Sequence, residues 1–193
     1  MKEKCAKIIR IITVPPILAA SMLLILYKTF GNNFSTPLEL WIAVLFLVIV
    51  PGIAYPLSFF LNNGSNNLRE KQRHIAFLLN FFGYLAAIIY SYLTDCTLMF
   101  KWIMTAYFFA VLVLTIVNKG FKIKASGHAC SCVLPYLFLS YWLGLLAIII
   151  CICLYLIEFW ASVSLKRHTI NEFLTGSITA ILVFAVTFAI FQM

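Results

Sequence analysis

The stretch "HACSCVLPYLFLSYWLGLLAIIICICLYLIEFWASVSLKRH", residues 128–168, decides how this chain folds. It is apolar over most of its length and carries a histidine at each end. As a single helix it would be far longer than a bilayer is thick, because about 20 residues suffice to cross roughly 30 Å of hydrocarbon. As two short helices it must reverse near "SYWLG", Ser140 to Gly144, where a glycine breaks the pattern. Reversal returns the chain to the side it left and brings His128 and His168 to one face. We therefore expect two helices, over 128–143 and 144–163.

The rest of the sequence extends this pattern. Of 193 residues, 64% are hydrophobic and only 10% charged, with a mean hydropathy of +1.03, well outside the range of a soluble domain. In lipid every backbone group must be satisfied internally, and runs of this length do so as helices. The expected fold is an all-α, polytopic transmembrane helical bundle with spans at 8–29, 38–61, 75–93, 97–118, 128–143, 144–163 and 170–192. That makes seven spans, or six if the fifth and sixth are one helix. With no internal repeat or low-complexity linker, a single membrane domain over 1–193 is expected. The charged start and apolar continuation of "MKEKCAKIIRIITVPPILAASMLLILY" also resemble a secretory signal, but no small-residue cleavage site follows, so the segment reads as an uncleaved anchor.

Seven crossings put the N-terminus and the segments 62–74, 119–127 and 164–169 on one side. Of the 14 basic residues, all but Lys28 and Lys101 then lie there, which makes that side cytoplasmic by the positive-inside rule. The formal net charge of +8 is spread over membrane-edge segments, so anionic headgroups rather than nucleic acid are the expected partners. The cysteine pairs Cys130/Cys132 and Cys151/Cys153 have a C-x-C spacing inside or beside apolar helices, where neighbours diverge. They read as small packing residues, with no metal site expected.

Each of the three basic interruptions holds one of the three histidines: "NNLREKQRHIAF" (66–77), "NKGFKIKASGHAC" (118–130) and "ASVSLKRHTINEFLTG" (161–176). In the third, His168 and Glu172 are four apart and share a helix face. There the carboxylate can hold one imidazole N–H and leave the other nitrogen with its lone pair. The same residues also read as an ordinary capped first turn, "TINE" being a capping box. In the second, Ser126 and Gly127 offer a hydroxyl and open backbone N–H groups at a helix start, a place suited to anions, with His128 beside them; a serine-capped turn is the plainer reading. Arg69, Lys71 and Arg73 in the first add cations, which elsewhere serve as headgroup contacts.

At these residues the sequence resembles the type 2 phosphatidic acid phosphatase superfamily, which includes the vanadium haloperoxidases. That family is marked by Lys-x6-Arg-Pro, Pro-Ser-Gly-His and Ser-Arg-x5-His-x3-Asp. Here "ASGH" supplies Ser126, Gly127 and His128 with Ala125 in place of proline. "ASVSLKRHTINE" puts His168 in the nucleophile position and Glu172 in that of the aspartate, and "EFLTG" continues the likeness through Gly176. Further positions depart: Asn66 stands at the lysine, His74 follows Arg73 where proline is expected, and Ala161-Ser162 stand where Ser-Arg is expected. The motif-bearing part runs over about 66–176. The resemblance implies a metal-independent, cofactor-free phosphatase. His168 would be the nucleophile, His128 the acid, and Glu172 the group that orients His168. Arg73, Ser126 and Gly127 would bind phosphate, with Arg69, Lys122, Lys124, Lys166 and Arg167 as sources of compensating charge. It also implies a lipid phosphate substrate, such as phosphatidate, phosphatidylglycerophosphate or a prenyl diphosphate, met among membrane lipids. Two alternatives stand beside it: a lipid-binding scaffold of the same fold without turnover, and a small transporter with Glu158 and Asn80 along its path.

Overall fold

The computed structural model describes residues 2–31, 36–61 and 68–192, and among them the secondary structure is helical with no strand. The helices are α1 (Lys2–Ile12), α2 (Pro15–Phe30), α3 (Pro37–Phe60), α4 (Leu68–Leu93), α5 (Leu98–Gly120), α6 (Gly127–Leu143), α7 (Leu145–Ser164) and α8 (Ile170–Phe191). Five of them, α3, α4, α5, α7 and α8, are long and apolar enough to cross a membrane. The α1–α2 pair adds a sixth if it is one bent span. The chain is thus a membrane protein by the length and apolarity of its helices.

Two of the expected spans need correction. The one drawn through 8–29 is broken, since α1 and α2 meet at 54°. Pro15 forces Val14 out of the helical region, to φ −64° and ψ 143°, and the two prolines provide no N–H to carry α1's ladder onward. The fifth, α6, has 17 residues, about 25 Å of helix, which falls short of the hydrocarbon thickness by about a turn.

The decisive reversal does occur. Gly144 has φ 76° and ψ −156°, a conformation that only glycine adopts without strain, and it separates α6 from α7. The two helices then pack against each other, α6 also packs on α2 and α8, and α1 lies along α7. At the centre stands α5, half of whose apolar window is buried, against 22% for α4 and for α7. Its Trp102 donates Nε1–H to Thr187 Oγ1 of α8 at 3.1 Å and meets Phe138 of α6 edge-on at 5.1 Å, locking three helices through one indole. Leu145, Leu146, Ile149 and Ile152 are exposed on the outer face of α7, as a lipid-facing surface requires. A π-helical turn, Leu45–Ile49, interrupts α3 just ahead of Pro51, whose missing N–H prevents an ordinary bond to Leu47.

Candidate functional site

The site is built where the start of α6 meets the start of α8. Ser126 is the N-cap of α6, its Oγ accepting the Ala129 N–H at 3.2 Å. Its own backbone N–H donates to the Glu172 carbonyl in the first turn of α8 at 2.9 Å. Such close approach is possible because residue 176, one turn further along α8, is glycine. A Cβ there would overlap the Ser126 carbonyl oxygen and lie 3.1 Å from its nitrogen. One backbone bond and one glycine thereby fasten the "SGH" segment to the "HTINEFLTG" segment.

The loop ahead of Ser126 is held by Asn118. Its Oδ1 accepts the Ala125 N–H at 3.0 Å, and its Nδ2 donates to the Ala125 carbonyl at 3.3 Å and to the Leu114 carbonyl at 2.9 Å. This accounts for alanine at 125, since proline has no N–H to give Asn118. Lys122 in the same loop has φ 56°, and Lys166, between α7 and α8, has φ 51°. These are the described non-glycine residues in the left-handed region, and both lie in the loops that shape the site.

At the start of α8 the capped turn is present and His168 stands close to the same carboxylate. Thr169 Oγ1 accepts the Glu172 N–H and Glu172 Oε2 accepts the Thr169 N–H, each at 3.2 Å, completing the capping box. The same Oε2 lies 3.5 Å from His168 Nδ1, an ion-pair distance longer than a tight hydrogen bond. A carboxylate on that side favours the tautomer with the proton on Nδ1, which leaves Nε2 with its lone pair. His168, a fifth exposed, has its pKa lowered from the ordinary 6.5. Burial is the main cause, the Arg10 and Arg73 charges add to it, and Glu172 opposes it. The ring is therefore neutral near pH 7, as a nitrogen nucleophile must be.

His128, half-buried, has Nε2 3.8 Å from Cys132 Sγ one turn along α6, and it lies within the electrostatic reach of Arg10 and His168. The two imidazoles therefore share one neighbourhood. Arg73 is exposed and acts on His168 from the first turns of α4, so the three polar segments meet at one end of the bundle. Lys166, Arg167, His168, Thr169 and Glu172 line an open cleft with Val163 and Ile170. Gly127, Lys122 and Lys124 are exposed nearby in sequence but do not line it, and His74 is exposed. Asn66 and the Arg69 side chain lie outside the described residues.

Sequence reasoning missed Arg10. From α1 its guanidinium donates to Ser162 Oγ at 3.2 Å across 152 residues of chain, at the one position of α7 where an arginine was expected and absent. Glu158, one turn before Ser162, is 1% exposed. Its Oε1 accepts from Tyr136 at 2.9 Å, while its Oε2 has no hydrogen-bond partner of ordinary geometry. Beside it Cys132 Sγ reaches the Thr13 carbonyl at 3.5 Å, tying α6 to the α1–α2 bend. Among the described residues no group of three or more His, Cys, Asp or Glu side chains could hold a metal ion. The chain matches no family model, no curated protein and no solved structure.

Proposed function

We propose that the protein is a membrane lipid phosphatase that hydrolyses a lipid phosphate or prenyl diphosphate through a phosphohistidine, without a metal. The observation that carries this reading is the bond from Ser126 N–H to the Glu172 carbonyl at 2.9 Å, which fastens the His128 segment to the His168 segment. In the first step His168 Nε2 attacks phosphorus and the bond to the lipid oxygen breaks. The leaving oxygen takes a proton from the His128 ring, which carries that proton once the negative charge of the bound phosphate offsets its burial and the Arg10 charge beside it. In the second, His128 takes a proton from water as that water's oxygen attacks phosphorus. The N–P bond breaks and inorganic phosphate leaves, with His128 protonated again. Glu172 stabilises the positive ring of the intermediate. Arg73, the Ser126 hydroxyl and the Gly127 N–H hold the equatorial oxygens, with Lys166 and Arg167 along the cleft. That electrostatic work is the main contribution left to a protein in phosphoryl transfer.

The site lies at one end of an apolar bundle, which favours a substrate whose phosphate is held at headgroup level. The basic residues gathered at that end favour the cytoplasmic face. Purified protein should release inorganic phosphate from phosphatidate or a prenyl diphosphate in chelator, and His168→Ala should abolish it. Release that survives His168→Ala refutes the mechanism. A second reading, a lipid-phosphate binder without turnover, is favoured by Asn66 and Ser162 at the family's lysine and arginine positions. Orthovanadate binding that depends on His168, with no phosphate release across lipid monophosphates and diphosphates, would select it.

A further inference from the structure

Arg10 is not part of any motif in the sequence, yet it enters the site from a different helix. Its Nη1 donates to Ser162 Oγ at 3.2 Å, which brings the guanidinium beside α7. Its charge reaches both imidazoles and opposes protonation of His168. Glu158, on the same face of α7 one turn away from Ser162, also feels the Arg10 charge and is buried in the protein interior. The Arg10 guanidinium is thereby tied to a hydroxyl of α7 and lies within electrostatic reach of a buried carboxyl group and the two rings.

Resting on the phosphatase reading above, we propose that Arg10 is a phosphate-binding residue of this site, delivered by α1 to the place where α7 offers only Ser162. Its fork would hold two equatorial oxygens of the phosphoryl group, a bidentate contact that no serine can make. Helix α1 then has a function beyond anchoring, and the 54° bend at Val14 is what turns it back along α7.

The plainer role for Arg10 is a tie between α1 and α7, and four variants of the full chain separate the two. Phosphate release from phosphatidate in mixed micelles and orthovanadate affinity are measured for each. Arg10→Ala should lower kcat/KM by about 100-fold, the scale for removing one donor to transition-state charge. Arg10→Lys, which keeps the charge and loses the fork, should recover only about tenfold of this. Ser162→Ala, which removes the tie but leaves the guanidinium, should stay within about tenfold of wild type, a neutral hydrogen bond being worth roughly 1 kcal/mol. In Arg10→Ala/Ser162→Arg the transplanted arginine fills the volume that residue 10 vacates and should restore at least about tenfold over Arg10→Ala. Orthovanadate affinity should follow the same order. An active wild type with Arg10→Ala equal to it, or with Ser162→Ala as damaged as Arg10→Ala and no rescue in the double variant, overturns this inference alone. A wild type that neither releases phosphate nor binds orthovanadate takes the phosphatase reading down with it.

Discussion

Gly176→Ala is the smallest change that tests how the site is assembled. The added methyl would overlap the Ser126 carbonyl oxygen, so α6 and α8 must part by about 1 Å to reach the ordinary carbon contact distance. Overpacking of this kind costs about 1–3 kcal/mol, and stretching the Ser126–Glu172 backbone bond costs about 1 kcal/mol more. Alanine's better helix propensity returns about 1 kcal/mol. A net loss of about 1–3 kcal/mol corresponds to a melting point lower by roughly 3–10 °C for a chain of this size. The catalytic effect should be larger in proportion, because displacing His128 against His168 by about 1 Å can lower the rate about 100-fold. Gly52→Ala in α3 is the control, since a Cβ there meets nothing within 4 Å. Thermal unfolding in detergent and phosphate release are measured for both variants. A Gly176→Ala protein that melts and turns over like Gly52→Ala would refute the claim that the two segments are held in register by this contact.

Other expectations follow from the same geometry. On the proposed mechanism neutral His168 attacks phosphorus, and its pKa lies below the ordinary 6.5, so the acid limb of kcat/KM should have its midpoint below that value. Glu172→Gln keeps the capping box but removes the charge that raises the His168 pKa, so it should move this limb further down while lowering the rate; an upward move would contradict the assignment. Asn118→Ala removes the bonds that fix both backbone groups of Ala125 and should destabilise by about 1–3 kcal/mol, with a loss of activity that extra substrate does not restore. Unfolding and steady-state kinetics on the purified variant check this directly.

The helix pair on either side of Gly144 was legible because length and a glycine agreed: an uninterrupted helix would not fit the bilayer, and the one residue that reverses at no steric cost stood at the midpoint. The break at Val14 was marked as clearly, by two prolines. It was passed over because a span is recognised by average apolarity, whereas a helix is broken by a single missing N–H. At Thr169–Glu172 a choice between cap and histidine partner was posed where none was needed, since one carboxylate oxygen serves both. The role of Ala125 could not be read, because its reason lies in the Asn118 side chain seven residues earlier. Arg10 was harder still. Its partner is 152 residues away, and in the sequence it counts only as one more positive charge at the membrane edge. Contacts within one helical turn were legible, while those made by side chains from elsewhere in the chain were not.

The central claim is that His168 carries the phosphoryl group, and trapping it is the most direct test. Protein is mixed with a lipid phosphate labelled at phosphorus, in chelator, quenched within one turnover under alkaline conditions that preserve phosphohistidine, and digested for mass spectrometry. A phosphoryl group should appear on the peptide bearing His168, gained in the first turnover and lost as inorganic phosphate appears. A label found on another residue, or phosphate released with His168 never modified, would contradict it.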